Sequence, residues 1–262
     1  MADIELISSA LLERDEIAHG FTTRAGGVSA GPYAGLNITR SRGDEAANVS
    51  ENRRRLTAAL DLDQLAFATQ VHGRAVVRLD RPPKGEAPVG EADAIITDRP
   101  GIGLVAQTAD CTPVLLFDPV KGAIGAVHSG WRGTVQNVVG AAIEAMGEAY
   151  GSRPGDLLAA IGPSVSPANY RVGGEVLDQF EQAFGPLEGL FITERDAEGG
   201  AHLDVALGAE RQLLGAGVPA AQIDRSPLCT YADKARFFSA RRSHHRGESG
   251  VFGGQGGVIG LR

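Results

Sequence analysis

Thr112-Pro113-Val114-Leu115-Leu116-Phe117-Asp118-Pro119-Val120-Lys121-Gly122-Ala123-Ile124-Gly125-Ala126-Val127-His128 is the stretch that decides the fold. Val114 to Phe117 is wholly apolar, the pattern of a strand buried on both faces. Asp118-Pro119 turns the chain, and Ala123 to His128 reads as a second buried strand. After Gly130-Trp131-Arg132-Gly133 the spacing predicts a helix from Thr134 to Tyr150, with Thr134 as N-cap and Val138, Ala141, Ala142 and Ala145 on its apolar side. Cys111 stands just before the first strand and His128 ends the second, at neighbouring strand termini where an α/β sheet usually assembles a site.

Outward from this unit the same mixture continues. Ile17 to Asn37 is irregular and carries Thr23-Arg24-Ala25-Gly26-Gly27-Val28-Ser29; its paired glycines suit either an anion nest or an ordinary turn. Asn48 to Leu60 has helical spacing, with Val49, Leu56 and Leu60 near one face and Asn52, Arg53 and Arg54 outside it. A strand from Leu65 to Val71 leads to His72, residues 80–92 form a Pro/Gly/Glu-rich surface loop, and Ala94–Thr97 and Ile102–Gln107 are short strands. Downstream come a strand over Leu157–Ile161 and amphipathic helices over Gly174–Phe184 and Asp204–Ala216, the second capped by Asp204. Arg236 to Arg242 reads as a last strand with a basic end, and Gly247 to Gly257 as a mobile, glycine-rich tail. With no internal repeat and no linker, residues 1–262 make one α+β domain.

The net charge of −7 and the absence of a basic stripe argue against a nucleic-acid partner. Arg241-Arg242-Ser243-His244-His245-Arg246, the densest basic stretch, suits a small anion better than a polymer. No apolar run approaches the ~20 residues of a membrane span, and the acidic start Met1-Ala2-Asp3-Ile4-Glu5 is unlike a secretory signal, so the expected location is the cytoplasm. Two cysteines, Cys111 and Cys229, are no disulfide scaffold; Cys229 reads as a buried structural thiol.

One soft thiolate and two imidazoles suit zinc or a similar metal, and three protein ligands leave a fourth position open for water or substrate. Cys111, His72 in Gln70-Val71-His72-Gly73 and His128 are the candidates. They lie 39 and 17 residues apart, unlike the close pairs of a zinc finger. Spacing alone leaves a buried thiol and two satisfied histidines as the alternative.

Six phrases in order sharpen the reading: Thr23-Arg24-x-Gly26-Gly27-Val28-Ser29, Gln70-Val71-His72-Gly73, Ala109-Asp110-Cys111-x-Pro113, His128-x-Gly130-Trp131-Arg132-Gly133, Ile161-Gly162-Pro163 and Phe237-Phe238-Ser239-x-Arg241-Arg242. In these the chain resembles the YfiH-like multicopper polyphenol oxidase, or laccase-domain, family over nearly its whole length. The resemblance implies a single α+β domain with α/β/β/α layering and a His-Cys-His metal site at His72, Cys111 and His128. It departs from the family pattern at Arg171, where an acid is more usual, and at Ala240, which replaces a common tyrosine.

The family has been described as copper-dependent polyphenol oxidases, as purine nucleoside enzymes, and as editors of peptidoglycan precursors. A multicopper oxidase needs many histidines, and this chain has six with no His-x-His repeat, so the oxidase ranks low. Zinc fits better, with copper as the lesser option, because a zinc-bound water can attack C6 of adenine. Asp110 is the nearest carboxylate in sequence to serve as proton shuttle, or else a carboxylate that orients a ligand from behind, or a turn cap. For phosphate the cationic candidates are Arg24, Arg132 and Arg241. Trp131 could stack on a base or fill core, and Gln70 could meet a substrate carbonyl or brace His72. The expected activity is therefore phosphorolysis of adenosine, inosine or methylthioadenosine, with adenosine deamination possible and a nucleoside and phosphate as partners. The runner-up is a cysteine-dependent hydrolase using Cys111 as nucleophile. A non-enzymatic metal or ligand binder is the third reading.

Overall fold

The computed structural model describes residues 3–262. Its centre is the stretch quoted above: β7 (Thr112–Asp118) and β8 (Ala123–Ser129) form an antiparallel pair in which every residue is buried. Alternation explains how one run serves two cores. Leu115 and Phe117 face a second sheet, while Val114 and Leu116 face helices. Each such side chain contributes about 1.5–3 kcal/mol on burial.

The sheet around this pair also contains β4 (Val76–Arg78), β5 (Ala94–Thr97), β9 (Leu158–Ile161) and β12 (Ile223–Arg225), in the order β12-β9-β7-β8-β5-β4. The facing sheet has the order β1-β2-β13-β6-β3, from β1 (Leu6–Ile7), β2 (Ile17–Thr22), β3 (Gln64–Phe67), β6 (Ile102–Thr108) and β13 (Gln255–Leu261). Phe21, Leu104 and Ile259 of one sheet meet Leu115, Phe117 and Ile124 of the other in the shared core. Outside the first sheet lie α3 (Val138–Tyr150) and α5 (Val205–Ala216). Outside the second lies α1 (Ala46–Ala59), whose Leu56 packs on Phe67 and Val258. These are the α/β/β/α layers of the expected α+β fold. A small ribbon, β10 (Arg171–Val172) with β11 (Ala201–His202), packs with α4 (Gly174–Phe184) beside α2 (Trp131–Val135). Asp204 caps α5 as expected, accepting from Leu207 N at 2.9 Å. No helix among the described residues is long and apolar enough to cross a membrane.

Five expectations are corrected. The tail contributes β13, the central strand between β2 and β6, because its glycines admit close neighbours. A Cβ at Gly257 would stand 3.0 Å from Phe21 and 3.2 Å from Leu115. Arg236 to Arg242 is not a strand: the Gln255 side chain takes the place of a partner strand, bonding both N and O of Phe238, and Ser239 then caps α6 (Ala240–His245). The helix expected from Thr134 is broken into α2 and α3 by Asn137, whose φ is 60°, and Thr134 lies inside α2, donating to the Gly130 carbonyl. The strand leading to His72 ends at Phe67, where the chain leaves β6 to curl around Asp93. Finally, Asn52 and Arg53 are buried, because they hold loop backbone through Val28 N, the Asn37 carbonyl and the Ile38 carbonyl.

Candidate active site

Cys111 stands on the turn between β6 and β7, and His128 near the end of β8. His72 is on the loop after β3, with a left-handed backbone at φ 59°. That conformation costs about 1–2 kcal/mol for a non-glycine residue, and Asp93 offsets it. The fully buried Asp93 carboxylate accepts from the amides of Val71, His72 and Gly73 at 3.2, 3.0 and 2.7 Å. The same carboxylate accepts from His128 Nδ1 at 2.8 Å, and the Asp93 carbonyl accepts from His128 N at 2.7 Å. One acid thus seats two histidines.

With Nδ1 occupied, His128 offers Nε2 to the centre. The ligand atoms of His72, Cys111 and His128 lie within 4.8 Å of one another, with Cys111 Sγ 3.9 Å from His72 Nε2. Zinc at ordinary bond lengths would need separations of about 3.3–3.6 Å, a small inward movement. Gly130 leaves the space: a Cβ there would stand 2.8 Å from His72 Cδ2 and 3.1 Å from Cys111 Sγ. A thiolate, two imidazoles and a carboxylate behind one of them fit a zinc-type donor set.

Burial alone would push the Cys111 thiol up, but the His128 charge and hydrogen bonds from both histidines bring it down to about 6. His128 moves the other way: burial works against its charge, yet the Cys111 thiolate and Asp93 carry it up to about 9. Asp93 itself is held below the ordinary carboxylate range: burial opposes this, but the His128 and Gly73 bonds outweigh it.

Two cavities have His72 and Cys111 in common among their lining residues. One, of about 750 Å³, runs from Cys111, His72 and His128 to Phe67, Arg53 and Phe252. The other, of about 530 Å³, is lined by Cys111, Trp131, Arg132, Tyr170, Arg241 and His244. Trp131 is half-buried, with the exposed Arg132 guanidinium over its ring at 4.3 Å. Arg241 stacks over Tyr170 at 4.6 Å and donates to the Arg171 carbonyl at 2.7 Å.

The remaining candidates brace the site. Asp110, at φ 92°, has both carboxylate oxygens engaged by Thr230 Oγ1, Ser239 Oγ and Arg241 N, which anchors the Cys111 turn. Gln70 clamps the Gln107 backbone with two 2.8 Å bonds. Arg24 is not brought to either cavity: it donates to the Ala34 and Lys234 carbonyls and stacks on Phe238 at 4.5 Å. Cys229 is half-buried, its sulfur accepting from Ser166 N and Oγ. Sequence reasoning missed Asp93, Tyr170 and Arg53, and took His244 only as part of the basic stretch Arg241 to Arg246. For Asp93 the signal was an acid immediately before the apolar strand Ala94-Ile95-Ile96.

Fold and site together define a laccase-domain protein with a possible His-Cys-His metal centre. The family model described as multi-copper polyphenol oxidoreductase laccase matches residues 18–262, and the chain belongs to that family. A Deinococcus radiodurans protein named purine nucleoside phosphorylase is 45% identical over 248 residues, covering 94% of this chain and 89% of its own. A protein named adenosine deaminase RL5, from an unknown prokaryotic organism, is 34% identical over 91% of this chain and 94% of its own. The crystal structure of YlmD from Geobacillus stearothermophilus matches with a TM-score of 0.89 at 32% identity, covering 97% of this chain and 94% of that one.

Proposed function

We propose that this protein is a zinc-dependent purine nucleoside phosphorylase that cleaves adenosine, inosine or methylthioadenosine. The observation that carries this reading is the His72–Cys111–His128 cluster, of which His72 and Cys111 line two adjoining cavities large enough for small molecules. In the reaction an oxygen of hydrogen phosphate forms a bond to C1′ of the ribose. The C1′–N9 bond breaks with its electron pair passing to the purine, and the phosphate's proton ends on the purine nitrogen. When bound, zinc would supply a Lewis acid and a water of lowered pKa, with copper the lesser alternative. His72, Cys111 and His128 would hold it, and Asp93 would keep His128 turned so that Nε2 faces inward. Trp131 and Tyr170 offer aromatic faces to a purine, flanked by Arg132 and Arg241. Adenosine deamination at the same centre is the related activity, supported by the relative named adenosine deaminase.

The test is incubation of purified protein with adenosine and phosphate, products separated by chromatography, beside Cys111→Ala with metal counted in both. Adenine or inosine from the wild type alone, with about one zinc per chain, supports the reading. Turnover by a folded, metal-free Cys111→Ala protein refutes it.

The thiolate–imidazolium pair of Cys111 and His128 supports a second reading, a hydrolase of peptide-like bonds such as those of cell-wall precursors, with Cys111 as nucleophile. It requires a mass increment on Cys111 when substrate is added. A zinc-held thiolate resists such modification until the metal is chelated.

A further inference from the structure

Arg53 is a buried charged side chain with no ion pair among the described residues, Glu86 acting on it only through space. It is 5% exposed and sits on α1 facing the larger cavity. Its Nε donates to the Ile38 carbonyl at 2.9 Å, and the guanidinium lies over the Phe67 ring at 3.6 Å. Those contacts satisfy one donor and one face. Nη1 and Nη2 meet no carboxylate or carbonyl among the described residues. Burying an unpaired charge costs several kcal/mol, so a position like this is sustained when an anion completes it.

The surroundings point the same way. Arg40 and Arg42 line the same cavity, and Glu86 is the one acid that does. Glu86 is already engaged by Arg40 and by Ser50 Oγ. Arg42 stacks over Phe252 at 4.4 Å and has no ion pair among the described residues. Three guanidiniums against one carboxylate leave this end of the cavity net positive. Burial and the Arg40 charge press the Arg53 pKa down to about 10 despite the opposing pull of Glu86, and an added anion would raise it again. The wall from Phe67 through Gln70 to His72 then leads straight from Arg53's stacking partner to the ligand cluster.

We propose that Arg53, assisted by Arg40 and Arg42, is the binding site for a phosphoryl oxyanion, inorganic phosphate acting as the attacking co-substrate. This rests on the phosphorolysis reading for its catalytic meaning but not for its binding chemistry. It places phosphate in the larger cavity, which meets the one lined by Trp131 and Tyr170 at His72 and Cys111, and it relieves Arg24 of the role that its position in the sequence suggested. A guanidinium presents paired N–H donors that match two oxygens of one phosphate. The Phe67 face holds the plane of the group fixed before the anion arrives.

Binding is measured first, without turnover, as the rise in melting temperature of the zinc-loaded protein with inorganic phosphate or with a nucleoside 5′-monophosphate. Phosphate should raise the melting temperature of the wild type, and Arg53→Met should abolish that rise while Arg53→Lys restores part of it. Glu86→Gln, an exposed change that removes the competing carboxylate, should tighten phosphate binding several-fold. In turnover, Arg53→Met should raise the phosphate KM at least tenfold and move the adenosine KM less than twofold. If Arg53→Met does not fold, Arg40→Gln with Arg42→Gln reads the same quantities. An undiminished phosphate response in folded Arg53→Met overturns the site, as does a loss confined to Arg132→Gln or Arg241→Gln. A response to the nucleotide alone overturns the assignment of free phosphate. Should the wild type show no phosphorolysis, loss of the thermal response in Arg53→Met still establishes the anion site, so the two readings fail separately.

Discussion

Replacing Asp93 by Asn keeps the shape of the side chain and removes its charge, which makes it the sharpest probe of the metal centre. Every group directed at the carboxylate is a donor: His128 Nδ1 and the three amides of residues 71–73. An amide has only one accepting oxygen. If its NH₂ turns toward Val71 and Gly73, two amides of the loop carrying His72 lose their acceptor. If it turns toward His128, the imidazole must accept at Nδ1 and carry its proton on Nε2, the atom meant for the metal. Leaving buried donors unsatisfied costs roughly 1–3 kcal/mol each, so two of them cost about 2–6 kcal/mol, a fall in melting temperature of roughly 4–24 °C at about 2–4 °C per kcal/mol. Loss of a carboxylate behind a ligating histidine typically weakens metal binding by about 10–100-fold. Competition against a chromophoric zinc chelator, run beside a melting curve, measures both. If Asp93→Asn melts earlier but holds zinc within twofold of the wild type, Asp93 staples the loop and does nothing for the ligand, and the argument is wrong.

Gly130→Ala should reduce bound metal severely, as counted by atomic emission, while leaving the circular dichroism unchanged; the φ of −75° tolerates alanine, but its Cβ would crowd His72 and Cys111. In metal-free protein carrying Cys229→Ser, alkylation of Cys111 should rise as pH passes about 6, where the thiolate forms, rather than near the ordinary thiol value of 9.0; iodoacetamide labelling followed by mass spectrometry reads this. Above about 9, where His128 loses its proton, the charge that holds the thiolate down disappears, so a second change in rate is expected there. Arg24→Ala should lower the melting temperature, through the lost carbonyl bonds and the Phe238 stack, with the phosphate KM unchanged; a raised KM would return Arg24 to the substrate.

Much of this was legible in the chain because it was encoded locally. The apolar run at Val114–Phe117 gave β7, and the histidine and cysteine phrases pointed to the three side chains whose donor atoms the fold brings within 4.8 Å of one another. What the sequence hid was long-range. Gln255 bonds Phe238 as a strand would, so a segment with strand-like composition ends instead at a helix cap. Gly256 and Gly257 look like a loose tail until Ile38, Phe21 and Leu115 are packed against them. Asp93 could not be placed because its four donors come from two distant segments, the loop of residues 71–73 and β8. The burial of Arg53 likewise depends on Phe67 and the Ile38 carbonyl, which lie on a different strand and loop.

The strained backbone positions cluster around this centre, and that has a consequence for how it binds metal. Of the four non-glycine residues with positive φ among the described residues, His72 is a candidate ligand, Asp110 precedes another, and Asn137 caps α3 just after the short helix that bears Trp131 and Arg132. Left-handed conformations of this kind persist only where surrounding bonds over-determine them. At His72 the bonds come from Asp93, and at Asp110 from Thr230, Ser239 and the Arg241 amide. None of these partners is a metal ligand. The ligands should therefore be set in place before the ion arrives, unlike zinc modules whose folding requires metal. Metal-stripped protein is expected to retain its circular dichroism and a cooperative melt, with the amides of residues 71–73 still slow to exchange with deuterium. Fast exchange at those amides in the stripped protein, recovered on adding zinc, would show that the ion organises the loop and that Asp93 does not suffice.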